Sequence, residues 1–242
     1  MTSLTAPPLP DHVSELLRKI RRTHQVAFEP FRVRDIELQL LQATDLEGVL
    51  KGRDPFADVS DFPFWVKLWE AAIALADVVA GLPDLAGRMV LELGAGLAAP
   101  GLVAAARGAK VTLSDYEPII LDFQRVSAAA NGLTGIEYKI LDWREPPTLV
   151  RFDLILGAEI LFREDLFAPL LSVFDAMLAP GGEILLAHDL RHRSLKPFME
   201  MAMGAGYEVK GRKLTVTAGD EKREILVNRL RRMDSAGGVT AR

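Results

Sequence analysis

Val90-Leu-Glu-Leu-Gly-Ala-Gly96 is an apolar run that ends in an acidic residue and two glycines, and a helix-like run over 97–107 follows it directly. This order indicates a buried parallel strand that leads through a sharp turn into a helix. A Cβ at Gly94 or Gly96 would keep a ligand away from the bare backbone of that turn. The stretch therefore predicts a turn that cradles a nucleotide-like group.

The next predicted strand supplies a second acidic residue. Residues 110–114 have strand character, and Asp115 follows them. It lies about twenty residues beyond the turn, a separation at which an acidic side chain binds ribose hydroxyls in folds of this kind. The turn and this acid together predict an adenosine-containing cofactor.

Glu92 decides which cofactor is favoured. Residues 94–99 also fit the loose dinucleotide pattern G-x-G-x-x-[G/A], which is a weak signal on its own. The negative charge of Glu92, two residues before Gly94, would repel a pyrophosphate but suits a sulfonium or an amine. The segment resembles motif I of the seven-strand (class I) S-adenosylmethionine-dependent methyltransferases, with Ala98 where many members have a third glycine. The resemblance implies S-adenosylmethionine as the cofactor, with Glu92 helping to position its methionine part.

Strands and helices alternate from the glycine turn onward, which indicates a parallel sheet with helices on both faces. The sequence then ends in an antiparallel hairpin, which is a feature of the seven-strand methyltransferases. We therefore predict an α/β fold with a Rossmann-like, doubly wound seven-strand sheet. The predicted strands are 89–93, 110–114, 136–141, 152–158 and 183–188, the helices are 97–107, 118–131, 165–178 and 195–205, and the hairpin strands are 207–216 and 223–230.

An N-terminal extension is expected to precede this domain. Asp11 is placed as the cap of an amphipathic helix, residues 31–41 have β character, and 45–63 is a loop rich in Gly, Asp and Pro. A helix over 65–80 follows. We therefore divide the chain into an extension (1–62) packed on the main domain, an S-adenosylmethionine-binding domain (63–232) and a flexible tail (233–242).

Residues that end the strands are the candidates for binding, because ligands lie at the carboxyl ends of the strands in such sheets. The third core strand ends at Asp142, followed by Trp143. In the methyltransferase fold this position contacts the adenine, with the carboxylate accepting from the exocyclic amine and the aromatic ring covering the base. The fourth strand ends at Ala158, which is predicted to contact the cofactor. Glu159, the next residue, is the candidate for an acid that faces the substrate.

Residues 62–178 more closely resemble the protein-lysine methyltransferase group, also called methyltransferase family sixteen. The resemblance is carried by Phe62-Pro-Phe-Trp-Val-Lys-Leu-Trp69, by the Asp142-Trp143 pair and by the segment 157–162. It implies that Trp69 helps to close the cofactor pocket and that a protein lysine is the methyl acceptor. A small-molecule acceptor stays open as an alternative. Where the group has a D-x-x-Y-like segment, this chain reads Glu159-Ile-Leu-Phe162, which lacks the tyrosine hydroxyl.

The expected chemistry is an in-line methyl transfer to a neutral amine, which requires alignment and loss of a proton. Glu159 is expected to assist the proton loss, and aromatic faces of Trp65 and Phe162 are expected to stabilise the methylammonium. His188, at the end of the fifth core strand, is expected on the rim of the site, orienting the substrate or accepting a proton. No metal is expected, because His188 and His192 have no convincing third neutral donor nearby.

Composition excludes or disfavours several classes of protein. The 242 residues are 49% hydrophobic, enough for a substantial core, and the absence of cysteine excludes methyltransferases that attack a pyrimidine through a thiol. The formal net charge of −4 argues against a nucleic-acid partner. No window approaches the ~18 apolar residues of a membrane span, and no signal peptide is evident. A cytoplasmic protein without a membrane partner is expected.

Two other readings remain open. The first is a nicotinamide-dependent oxidoreductase, which is weakened by Glu92 and by the absence of a Tyr-x-x-x-Lys pair. The second is a protein that binds the cofactor without catalysis. The intact set of strand-end acids and glycines argues against a loss of cofactor binding but does not prove turnover.

Overall fold

The computed structural model describes residues 8–45, 64–145, 150–218 and 221–233. Within these ranges the helices are α1 (Asp11–Arg21), α2 (Glu70–Ala80), α3 (Ala99–Ala106), α4 (Pro118–Ala130), α5 (Phe167–Met177) and α6 (Leu195–Gly204), with short 3-10 helices at Phe64–Val66 and Glu164–Leu166. The strands are β1 (Val26–Val33), β2 (Ile36–Ala43), β3 (Met89–Leu93), β4 (Lys110–Asp115), β5 (Glu137–Ile140), β6 (Phe152–Ala158), β7 (Leu178–Asp189), β8 (Tyr207–Ala218) and β9 (Glu221–Arg232).

The main sheet has seven strands in the order β5-β4-β3-β6-β7-β9-β8. Strands β3 to β7 are parallel, whereas β9 runs antiparallel to both β7 and β8. The predicted doubly wound sheet with an antiparallel C-terminal hairpin is therefore confirmed. The strand order reverses at β3, with β4 on one side and β6 on the other, and this is the point where ligands bind in such folds.

The sheet is covered on both faces. Alternate residues of β3 belong to two different apolar clusters, since Val90 lies with α2 and α3 and Leu91 lies with α5 and α6. Because successive side chains of a strand point to opposite faces, this alternation shows that β3 is buried on both faces. The rigid centre of the sheet holds the ends of β3 and β6 in place.

The N-terminal extension packs on the same domain. Helix α1 buries Val13, Leu17 and Ile20 in a cluster that also includes Phe123 of α4. Strands β1 and β2 form an antiparallel hairpin. The backbone amide of Gln39 donates to Oδ1 of Asn131, and Nδ2 of Asn131 donates to the carbonyl of Gln39, both at 2.8 Å. An amide side chain thus takes the place of a neighbouring strand at the edge of β2.

Several predicted boundaries are wrong. The β segment predicted over 31–41 is two strands, because Arg34 adopts a left-handed backbone (φ 51°) and forms a two-residue turn with Asp35. The helix predicted over 65–80 begins at Glu70. Pro10, not Asp11, occupies the N-cap of α1.

Some predicted segments lie outside the described residues. These are most of the loop at 45–63, the domain boundary at 62, the centre of the terminal turn at 219–220 and the tail from 234 onward. Among the described residues, no helix is long and apolar enough to cross a membrane.

Candidate active site

The turn after β3 is built from residues in the left-handed region. Gly94, Gly96 and Ala98 have φ of 55°, 51° and 59°, so every second residue of the turn has a left-handed backbone. A Cβ at Gly94 would lie 3.0 Å from the side chain of Ile160 and 3.7 Å from that of Trp143. This turn needs a glycine at position 94 for both conformation and space. Ala98, which replaces the third glycine of motif I, adopts the left-handed conformation nonetheless.

Glu92 lies behind this turn. It is 1% exposed, and its Oε2 accepts a 2.8 Å hydrogen bond from the backbone amide of Gly101 in α3. Burial raises the pKa of Glu92 to about 8, and the nearby Asp115 adds to the increase. The carboxyl therefore holds its proton at neutral pH before any cation arrives, and the repulsion of a pyrophosphate inferred from the sequence is weaker than expected. In this structure Glu92 ties β3 to α3.

Asp115 ends β4 beside the same turn. Its Oδ2 accepts from the backbone amide of Gly96 and its Oδ1 from that of Tyr116, both at 2.8 Å. Burial raises the pKa of Asp115 to about 6, against the lowering effect of these two hydrogen bonds. The acid predicted to bind ribose is thus oriented by the glycine turn itself.

Two tryptophans and an acid were predicted to contact the cofactor. Trp143 is half-buried against the apolar cluster of α5 and α6, with its ring close to Gly94. Asp142 is exposed, and its Oδ1 accepts from the backbone amide of Arg144 at 2.9 Å. Trp69 is the N-cap residue of α2, and the Lys67 ammonium lies 4.9 Å from its ring centroid. Contact of these side chains with a cofactor stays a prediction.

Trp65 is in a different place from the one expected. Its side chain is only 8% exposed, and its ring packs edge-on against Phe123 at 5.0 Å and His24 at 6.0 Å between centroids. The ring is therefore part of the core between α1 and α4, and the expected contact with a methylammonium is wrong. The backbone of Trp65 nevertheless lies beside Gly96.

Glu159 follows β6 in a strained backbone conformation. Its φ is 56°, a backbone angle that residues other than glycine rarely adopt. The conformation is held by a hydrogen bond from its backbone amide to the carbonyl of Ala187. Its Oε1 accepts from the amide of Asp189 at 2.9 Å, and its Oε2 lies 3.1 Å from Nε2 of His192. Strain of this kind concentrates at functional sites.

The two remaining candidates differ sharply in exposure. Phe162 is 46% exposed, so an aromatic face is accessible near the end of β6. His188 is 1% exposed, which contradicts the expected rim position. Within the described part of the chain neither ring nitrogen of His188 has a hydrogen-bond partner, and burial lowers its pKa to about 3. Such a ring is too weak a base to accept a proton from an amine at neutral pH.

Comparison with known proteins decides the family. Residues 64–205, more than half of the chain, match the family model described as lysine methyltransferase. The chain belongs to the lysine methyltransferase family. The resemblance predicted from residues 62–178 is thereby confirmed.

Individual relatives of this lysine methyltransferase family member support the same assignment. Protein N-lysine methyltransferase METTL21A of Danio rerio is 34% identical over 140 residues, which are 54% of this chain and 64% of that protein. Histone-arginine methyltransferase METTL23 of Mus musculus is 35% identical over 132 residues, which are 52% of this chain and 51% of that protein. The matched part of the chain thus spans less than two thirds of the length of these relatives.

Solved structures agree on the fold. The crystal structure of ribosomal protein L11 methylase from Lactobacillus delbrueckii subsp. bulgaricus superposes with a TM-score of 0.53 at 20% identity. The match covers 67% of this chain and 79% of that chain. The architecture of this chain is therefore that of a methyltransferase fold.

Sequence reasoning missed several residues that the structure places at this site. Tyr116 and Ile140 are 62% and 52% exposed, and Ile140 is the pairing partner of Asp115. Gln124 of α4 is fully buried and donates from Nε2 to the carbonyl of Gly96 at 2.9 Å. For Tyr116 and Ile140, the usable signal in the sequence was the position of a large apolar side chain at the end of a predicted strand. The second contact joins residues 28 positions apart, which no local pattern indicates.

The histidines and acids do not gather into a metal centre in the described ranges, where no group of three or more potential ligands was found.

Proposed function

We propose that this chain is an S-adenosylmethionine-dependent methyltransferase that methylates a lysine side chain of a protein. The observation that carries the proposal is the turn at residues 94–98, which presents bare, left-handed backbone and is tied through Gly96 to Asp115. Membership of the lysine methyltransferase family supports the same activity.

The residues around the turn fit the cofactor. The glycines at 94 and 96 leave the backbone of the turn without side chains, and Asp115, bonded to the amide of Gly96, is proposed to accept from ribose hydroxyls. At neutral pH the protonated Glu92 adds no charge to the site, whereas Asp115, with a pKa of about 6, is ionised and favours a ligand that carries positive charge. A pyrophosphate would bring more negative charge to the same place.

The proposed cofactor pocket is completed by the ends of the neighbouring strands. Asp142 and Trp143 are proposed to hold the adenine, with the exposed Tyr116 and Ile140 extending the apolar surface for the base. Trp69 and Ala158 are proposed to border the methionine part. When bound, the cofactor supplies a methyl group on a sulfonium, ready for displacement.

The acceptor side lies at the end of β6. Phe162 offers an exposed aromatic face, which stabilises an ammonium or methylammonium by about 0.5–2 kcal/mol depending on desolvation. Glu159 lies three residues before Phe162, and its carboxylate is fixed by Asp189 and His192. An exposed aromatic face suits a cationic side chain such as that of lysine. A protein lysine is therefore the proposed acceptor, and the cytoplasm is proposed as the location of the chain.

Arginine is the second candidate acceptor, because relatives of comparable identity are named as lysine and as arginine methyltransferases. The acceptor is tested by incubating the purified chain with S-adenosylmethionine carrying a labelled methyl group and a protein lysate, then locating the label by mass spectrometry. Label on lysine supports the proposal, and label on arginine replaces lysine by the second candidate. If the label appears on a small molecule and on neither lysine nor arginine, the proposal of a protein substrate is overturned. Asp115→Ala serves as the cofactor-site control.

A further inference from the structure

The carboxylate of Glu159 is already engaged on both oxygens. Oε1 accepts from the backbone amide of Asp189, and Oε2 lies 3.1 Å from Nε2 of His192. The left-handed backbone at Glu159 directs this side chain toward the end of β7, and only 18% of it is exposed. Glu159 is therefore held as an acceptor of internal hydrogen bonds, while 47% of the His192 side chain faces solvent.

We propose that His192 is the proton acceptor of this active site and that Glu159 is the positioning residue that fixes its tautomer. This proposal rests on the methyltransferase function proposed above. A ring that donates its Nε2–H to Glu159 carries its lone pair on Nδ1. The arrangement is a base oriented by a carboxylate, the relationship that activates bases in many unrelated enzymes.

The groups around His192 shift its pKa in both directions. The hydrogen bond to Glu159 raises the pKa of His192, and the charge of Asp189 adds to this. Partial burial and the charge of Arg191 act in the opposite direction. Arg191 is itself held on Asp189 by hydrogen bonds of 2.6 and 2.9 Å, and His188 stays neutral because it is buried.

The proton step balances within this arrangement. A lysine ammonium gives one proton to Nδ1 of His192, which leaves a neutral amine with its lone pair and an imidazolium paired with Glu159. The imidazolium then returns its proton to water, because the ring is half exposed. Lysine has a reference pKa near ~10.4, so a positioned acceptor and desolvation both help to supply the neutral amine.

Glu159→Gln tests the tautomer directly. The amide of Asp189 still requires an acceptor, so the glutamine oxygen stays there and its NH₂ group faces His192. Nε2 must then accept, and the proton moves to Nδ1. Long-range ¹H–¹⁵N spectra of the imidazole are expected to show the Nε2–H tautomer in the wild type and the Nδ1–H tautomer in the variant. A wild-type ring with the proton on Nδ1 would overturn the proposal.

Kinetics provide the second readout. With the acceptor protein found by the labelled-methyl screen, His192→Ala is expected to lower kcat about 100-fold. Its affinity for S-adenosylmethionine, measured by calorimetry, is expected to stay unchanged, and added imidazole is expected to restore part of the rate. His12→Gln, an exposed histidine on α1, is the matched control and is expected to keep wild-type kcat.

The outcomes separate this inference from the proposed function. Full kcat in His192→Ala with an acceptor that the wild type methylates would overturn the role of His192 and leave the methyltransferase function standing. If the wild type binds no S-adenosylmethionine and methylates nothing, the proposed function fails and His192 loses its role with it. The spectra still decide whether Glu159 sets the tautomer in that case.

Discussion

Oδ2 of Asp115 accepts a 2.8 Å hydrogen bond from the backbone amide of Gly96, which joins the end of β4 to the turn after β3. The two positions are 19 residues apart in the sequence. This bond sets the turn and the strand-end acid in one fixed relation before a cofactor binds. Binding to this site should therefore depend on the ionisation of Asp115 and on the conformation of the turn.

Affinity for S-adenosylmethionine is expected to rise with pH through the pKa of Asp115, about 6. Protonation removes the negative charge that strengthens the hydrogen bonds of Asp115 with ribose hydroxyls, so it competes with binding. Affinity should increase about tenfold between pH 5 and pH 7.5, the factor that a single group titrating at this pKa gives. Calorimetry across this range measures it. Asp115→Asn should bind more weakly at pH 7.5 with no such rise, and a flat wild-type profile would contradict the assignment.

Glu92→Gln is expected to change the pH dependence of stability. The pKa of Glu92 is raised from 4.5 to about 8 in the folded state, so the folded chain holds this proton where the unfolded chain has lost it. Stability contributed by the neutral carboxyl is therefore lost as pH rises from about 4.5 through about 8. Glu92→Gln has no ionisable carboxyl at this position, so its stability does not fall in this way as the pH rises. Its Tm relative to wild type should be higher at pH 8.5 than at pH 5, and an equal difference at both pH values would refute the prediction.

Gly94→Ala is expected to weaken both stability and cofactor binding. The added Cβ would meet Ile160 at 3.0 Å, and the left-handed backbone alone costs an alanine about 1–2 kcal/mol. Gly132→Ala is the matched control, since Gly132 has φ of 66° with nothing within 4 Å of the added Cβ. Denaturant unfolding should show a loss of stability in both variants. Calorimetry should show weaker S-adenosylmethionine binding only for Gly94→Ala.

Asn131→Ala is expected to destabilise the docking of the N-terminal hairpin. The variant removes both side-chain hydrogen bonds to the backbone of Gln39 and one to the carbonyl of Ser127. Leaving partly buried backbone groups without partners costs about 1–3 kcal/mol. Urea unfolding measures the change, with Glu29→Ala on the exposed side of β1 as a control expected within about 0.5 kcal/mol of wild type. Equal stability of Asn131→Ala and wild type would contradict the role of this contact.

The sequence was most informative where chemistry and backbone conformation coincide. The glycine turn at 94–96, the acid at Asp115 and the terminal hairpin each have a local pattern, and the structure shows the predicted elements. Local patterns failed where tertiary contacts decide. Nothing in the run around His188 indicates that its ring is fully buried, and nothing around Trp65 indicates a core position beside Phe123.

Partners that are distant in the chain were equally out of reach. Glu159 was predicted to face the substrate directly, but its carboxylate is bonded to residues 30 and 33 positions further along, on and after β7. The strand order that brings these segments together is a property of the whole sheet. A single segment of sequence therefore identified the acid but not the histidine that it orients.

Binding of S-adenosylmethionine, S-adenosylhomocysteine and NAD(P)H to the purified chain, measured by calorimetry with Asp115→Ala as the control, tests the central claim most directly. We expect both adenosyl sulfur compounds to bind, more weakly in the variant, and NAD(P)H not to bind. Binding of NAD(P)H in place of the sulfur compounds would contradict the proposed activity.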